Sequence, residues 1–146
     1  MKKIAALPLQ EQGKVTAYFQ SQSSFWNDIY ASKGVYAEIH RDRHSAVLAW
    51  IDSLSYPRGT NVLEIGCGAG YMSVALAQKG FRVHAIDPSA AMIELAKQHG
   101  EESGVSGQLS LHVGDACSLQ FEDNSHDLVI AIGVIPWLDR DRKSVV

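Results

Sequence analysis

The stretch NVLEIGCGAGYMS, residues 61–73, limits the fold more than any other part of the chain. NVLEI reads as a strand, the alternating Gly66, Gly68 and Gly70 as a turn, and the residues from Tyr71 to about Lys79 as a helix closed by Gly80. Glycine admits positive φ and leaves no Cβ in the way of a ligand. A strand, a glycine turn and a helix in succession therefore predict a nucleotide cradle. Backbone N–H groups and the helix N-terminus are expected to face a crevice at the carboxyl ends of the strands.

Strand and helix periods alternate from there on. FRVHAID, LSLHV and DLVIAIG are predicted strands at 81–87, 109–113 and 127–133. Between the first two of them lies SAAMIELAKQH, with Ser89 as N-cap and Gly100 as stop. Such alternation predicts right-handed βαβ units and a parallel sheet, a Rossmann-like α/β fold. The near-continuous apolar strands predict helices on both faces. Residues 1–57 read as a helical lead-in able to cover the crevice, with short helices in GKVTAYFQ and SSFWNDIYAS and a longer one over 35–54, ended by SYPRG. On the longer helix Tyr36, Ile39, Val47, Trp50, Ile51 and Leu54 fall on one apolar stripe, with Arg43 in its middle. Arg43 either snorkels past the core edge or points into a ligand site.

Composition narrows the class. A chain of 146 residues holds one domain and hardly two, and 46% apolar with 20% charged residues is ordinary globular composition. A net charge of -3 gives no electrostatic case for nucleic acid or an anionic membrane. Cys67 and Cys117 are too few for a disulfide framework. The opening apolar run at 4–9 is broken by Pro8 and is not expected to be a signal peptide, and no segment approaches a membrane span. The expectation is a soluble protein of the reducing cytoplasm. No metal-ligand spacing, GxSxG or Walker pattern occurs.

Spacing selects the ligand. A dinucleotide fingerprint needs glycine at its first, third and sixth positions, but the sixth from Gly66 is Tyr71 and the sixth from Gly68 is Ser73. Glu64, just before the turn, would repel a pyrophosphate and suits a ligand carrying an ammonium or other cationic group. That favours S-adenosylmethionine over NAD(P). Asp87 ends the second strand 21 residues after Gly66, where a carboxylate accepts from both ribose hydroxyls; it also reads as an acid at a helix N-terminus. Asp115, with the Ala116 backbone, follows the third strand and can meet an adenine amino group, although taken alone it reads equally as an ordinary polar loop.

Residues 62–98, VLEIGCGAGYMSVALAQKGFRVHAIDPSAAMIELAKQ, closely resemble the first and second motifs of class I S-adenosylmethionine-dependent methyltransferases. GDA and HDLVIAIGVIPWL look like the adenine-binding and fourth-strand motifs of that family, so the resemblance covers about residues 61–138. It implies a sheet in the order 3-2-1-4 with later strands missing, and S-adenosylmethionine as cofactor. Glu64, Gly66, Gly68 and Gly70 would contact its methionine portion, with Cys67 between them. Asp87, with Pro88, would bind the ribose, Asp115 and Ala116 the adenine, and Ile132 and Gly133 would floor the site near the sulfonium. The N-terminal layout is similar to small-molecule methyltransferases of the quinone and porphyrin type. That similarity implies a small quinone-, porphyrin- or lipid-like acceptor and an Arg43 turned to the methionine carboxylate.

Other residues leave alternatives open. Tyr18, Phe19, Trp26 and Tyr30 read as an aromatic lid or as plain helix packing. His40 and His44 are weak candidates for a base, against a surface reading. His84 and His112 read as packing residues, and His126 as part of a turn. The expected layout is a lead-in at 1–57, an incomplete core at 58–140 and a tail at 141–146. That tail, DRKSVV, has no helical or strand pattern, matches the translation of a common sequencing adapter and is expected to be artefactual. The rival readings are an NAD(P)-binding oxidoreductase and a non-catalytic cofactor-binding fragment.

Overall fold

The computed structural model describes residues 9–138; most of the 4–9 apolar run and all of the 141–146 tail lie outside the described residues. Three helices come first, α1 (Leu9–Ser21), α2 (Ser23–Asp28) and α3 (Val35–Ser53). There follow β1 (Asn61–Ile65), α4 (Tyr71–Gln78), β2 (Arg82–Asp87), α5 (Ala90–Glu102), β3 (Leu109–Val113) and β4 (Leu128–Ala131). The strands form one parallel sheet in the order β3-β2-β1-β4, with Leu63 at its centre paired to His84 on one side and Val129 on the other.

The order dictates where the helices go. From β1 to β2 to β3 the chain steps in one direction, so two right-handed crossovers place α4 and α5 on the same face, where they touch each other. That face holds the core: Val62, Val83, Ala85, Leu128 and Ile130 of the strands meet Leu76 of α4, Ile93 of α5 and Ile51 of α3. Among the described strand connections, the return from β3 to β4 is the one placed to cover the other face, and residues 114–127 carry no helix. Instead the Phe121 ring stacks on His84, and His126 Nε2 lies 2.7 Å from His84 Nδ1. The sheet is therefore helix-covered on one face among the described residues, not on both, and Val129 of β4 is 57% exposed.

Two local expectations also need correcting. Gly100 does not stop α5 but lies buried within it, because a Cβ there would come within 2.6 Å of Leu109 on β3. Gly104, at φ +68°, is the left-handed residue that follows the helix. On α3 the stripe is not one buried face. Ile51 is buried and Val47 and Leu48 reach the core, whereas Ile39, Trp50 and Leu54 are exposed, Trp50 by 58%. Ser89 caps α5 as expected, accepting from the Met92 N–H. Its hydroxyl also donates to Gln20 Oε1 at 2.9 Å, which ties α1 to the start of α5.

Candidate functional site

At the carboxyl ends of the strands lies a cavity of about 350 Å³. Of the twelve residues expected at a cofactor site, Arg43, Glu64, Gly66, Cys67, Gly68, Asp87, Pro88, Asp115, Ala116, Ile132 and Gly133 line it. Gly70 is not among the lining residues. It caps α4 at φ +83°, and a Cβ on it would stand 2.6 Å from Ala96 Cβ and 3.0 Å from Ala96 Cα, so its part is to let α4 and α5 approach. Gly68 behaves differently: at φ +53° its missing Cβ would enter open space beside the cavity.

The turn does not present its amides as expected. Gly66 N–H and Cys67 N–H both donate to the Ile86 carbonyl, at 2.8 and 3.0 Å. Gly68 N–H donates to Asp87 Oδ2 at 3.0 Å, and Gly70 N–H to the Cys67 carbonyl at 3.0 Å. All four serve the protein itself, because the loop folds back on the end of β2. What the strand ends beside the loop offer the crevice is carboxylate, from Glu64 and Asp87.

Two carboxylates are buried there, and neither has an ion-pair partner among the described residues. Glu64 is 3% exposed and takes a hydrogen bond from the Ser73 hydroxyl across the turn. Burial pushes its carboxyl up to about 7, with Ser73 opposing the rise and Asp87 adding to it. Asp87 is 7% exposed; its Oδ1 accepts from Ser89 N–H at 2.9 Å while Oδ2 holds Gly68. Burial raises it as well, against the pull of those two amides. Asp115 Oδ1 is tied into its own turn by Cys117 N–H at 2.8 Å.

Glu64 makes stability depend on pH. The folded chain keeps its proton up to about pH 7, whereas an unfolded glutamate releases it near 4.5. Stability from this group therefore falls as pH rises through that window, by at most about 3 kcal/mol. Glu64→Gln is expected to remove the fall. In urea unfolding the variant should gain on the wild type between pH 5 and pH 8; an equal difference at both pH values would refute a strained, buried carboxylate.

The lead-in supplies the rest of the wall. Phe19, Trp26, Tyr30, Tyr36 and His40 line the cavity, so Phe19, Trp26 and Tyr30 of the expected lid reach it, while Tyr18 stacks instead on Trp137 at 5.9 Å. Phe19 meets the same Trp137 edge-on at 5.0 Å, which joins α1 to the segment after β4. Tyr71 donates its hydroxyl to the Asn27 carbonyl, and its ring lies 4.3 Å from Tyr30. Burial, then Glu64 and Tyr71, push Tyr30 up to about 12. Arg43 Nη1 sits 3.9 Å from where a Cβ on Gly133 would be, which answers its place on the stripe: it faces the cavity. Sequence reasoning missed Ser73 as the partner of Glu64, Tyr36 as wall rather than core, and Trp137.

Comparison with known proteins agrees with this architecture. A family model described as a methyltransferase domain matches residues 62–146, more than half of the chain. A ubiquinone biosynthesis O-methyltransferase of Methylocella silvestris is 40% identical over 77 residues, which are 53% of this chain and 29% of that protein. The biotin biosynthesis bifunctional protein of Teredinibacter turnerae is 36% identical over 86 residues, 54% of this chain and 15% of that one. The chain thus matches under a third of the length of either relative. Among solved structures, a magnesium protoporphyrin IX methyltransferase from Synechocystis with bound S-adenosylmethionine superposes with a TM-score of 0.80 at 27% identity, over 97% of this chain and 70% of that one. With the family model matched from β1 onward and the 3-2-1-4 parallel sheet in place, the chain belongs to the class I S-adenosylmethionine-dependent methyltransferases.

Proposed function

We propose that this chain binds S-adenosylmethionine in the cavity at the carboxyl ends of β1, β2 and β4, for methyl transfer to a small aromatic acceptor of quinone or porphyrin type. The observation that carries the reading is the pair of buried carboxylates, Glu64 and Asp87, without an ion-pair partner among the described residues. Burying unpaired negative charge is costly, and a cationic ligand relieves it. A dinucleotide would bring a pyrophosphate to a loop whose Gly66, Cys67, Gly68 and Gly70 amides are already engaged, and the NAD(P) reading is weaker for it.

The residues fit the cofactor group by group. Glu64 takes the ammonium, Arg43 the carboxylate, Asp87 with Pro88 the ribose, Asp115 and Ala116 the adenine, while Ile132 and Gly133 floor the cavity and Cys67 lines it. Gly68 leaves the room that a Cβ would fill. When bound, the cofactor supplies an already activated methyl on sulfur. The chain then has mainly to align the acceptor, and alignment can supply roughly 7–11 kcal/mol of a barrier. Residues 9–57 act as the cap, bringing Phe19, Trp26, Tyr30 and Tyr36 to the cavity as flat, apolar surfaces for a ring. The activities of the ubiquinone and magnesium protoporphyrin methyltransferases it resembles support quinone and porphyrin acceptors. A chain with two cysteines supports a reducing, cytoplasmic setting, and no described helix is long and apolar enough to cross a membrane.

Calorimetry with S-adenosylhomocysteine and NAD side by side tests the reading. Saturable binding of the first and none of the second is expected; binding of NAD alone would overturn it.

A further inference from the structure

Transfer to a hydroxyl would leave one role unfilled: that hydroxyl must lose its proton as its oxygen takes the methyl. Tyr36, His40 and Arg43 are spaced i, i+4, i+7 on α3, and all three line the cavity. We propose that His40 is the general base for transfer to a hydroxyl on an aromatic acceptor, an inference that rests on the cofactor reading above.

His40 is the only histidine on the wall among the described residues. The others have different duties. His84 and His126 bond each other on the far face of the sheet, His99 is bound to the Ala69 carbonyl at 2.7 Å, and the His44 ring packs on Tyr30 without reaching the wall. No described group hydrogen-bonds the His40 ring. It is held instead between aromatic surfaces, edge-to-face with Trp26 at 5.4 Å and with Tyr36 at 4.7 Å. That arrangement fixes the ring plane and leaves its nitrogens for a ligand.

Its surroundings favour the neutral form. Burial, and then the Arg43 guanidinium one turn along, hold His40 below its ordinary value, so it stands deprotonated and able to accept at neutral pH. The other ionisable groups on the same wall are Tyr30, Tyr36, Glu64, Cys67, Tyr71, Asp87 and Asp115, and burial pushes the Cys67 thiol well up. Glu64 also titrates near neutrality, but it is buried, bonded to Ser73 and assigned to the cofactor. Tyr30 is pushed the wrong way for a base. Trp26 Nε1 is a buried donor without a partner, so the wall beside His40 also has an N–H to offer an acceptor oxygen.

The step balances. The O–H bond breaks toward a His40 nitrogen, the oxygen lone pair forms the new bond to the methyl carbon, and the carbon–sulfur pair stays on sulfur as a neutral thioether. The imidazolium then returns its proton to water.

The test uses the full chain loaded with S-adenosylhomocysteine, with 4-nitrocatechol as the probe because its ionised form has its own visible absorbance. In the wild type the bound probe should ionise at least about one pH unit below the free probe, a tenfold change. His40→Gln should return that midpoint to the free value while leaving S-adenosylhomocysteine affinity within about twofold. NMR of histidine-labelled wild type adds a readout independent of any variant, since the His40 ring should become protonated when the probe binds. An unchanged midpoint in the variant, a His40 ring that stays neutral, or no probe binding to a chain that does bind S-adenosylhomocysteine would each overturn the proposal and leave the cofactor reading standing. No binding of S-adenosylhomocysteine at all would overturn both.

Discussion

Asp87→Ala should lower the affinity for S-adenosylhomocysteine by roughly 10²–10³-fold, the largest loss expected from any single side chain of the site. Two hydrogen bonds from ribose hydroxyls to a carboxylate account for about 3 kcal/mol or more of that. A separate loss falls on the stability of the fold. Asp87 holds Gly68 N–H through one oxygen and Ser89 N–H through the other, so truncation leaves two donors without their acceptor, at about 1–3 kcal/mol each. Asp87→Asn keeps one acceptor oxygen and should fall between Ala and the wild type. Isothermal calorimetry measures the loss and urea unfolding the accompanying destabilisation. An alanine variant that still binds within tenfold of the wild type would remove Asp87 from the ribose site.

Gly70→Ala should destabilise the fold by about 3–5 kcal/mol. One part is conformational, because φ +83° costs a residue with a Cβ about 1–2 kcal/mol. The other part is steric: the new Cβ would lie 2.6 Å from Ala96 Cβ and 3.0 Å from its Cα, and the backbone of α5 cannot rotate aside as a long side chain would. At Gly68 the conformational part is the same in kind, but the Cβ enters open space. Gly68→Ala should therefore cost far less stability and act mainly on cofactor affinity. Urea midpoints of the two variants separate a packing glycine from a ligand-facing one; equal destabilisation would contradict that division.

The βαβ half of the chain was legible because its signals are local. Glycines at 66, 68 and 70, the Ser89 cap and the branched-rich strands each state their own conformation, and the four strands and two helices from residue 61 onward lie within a few residues of where periodicity puts them. Eleven of the residues named from the sequence line one cavity, since Glu64 lies near the end of β1, Asp87 ends β2 and Asp115 follows β3. The lead-in was harder to read. Alpha-helical spacing assumes one burial partner, whereas α3 has two: Tyr36, His40 and Arg43 face the cavity, while Val47, Leu48 and Ile51 face the core. A single apolar stripe cannot describe both. The Ser73–Glu64 bond spans nine residues across a turn whose direction only the fold decides. The one-sided helix cover follows from strand order rather than from any strand's composition.

The engagement of the Gly66, Cys67, Gly68 and Gly70 amides has a consequence for ligand choice. Three of those bonds end on main-chain carbonyls, so no side-chain replacement can release them for a phosphate without unpicking the junction between β1 and β2; the Gly68 amide alone of the four is held by a side chain, Asp87. Neutralising Glu64 would take away a repulsive charge and still leave those amides unable to receive an anion. The discrimination is thus built largely into backbone connectivity, and sequences that keep this loop geometry and the carboxylate of Asp87 inherit it.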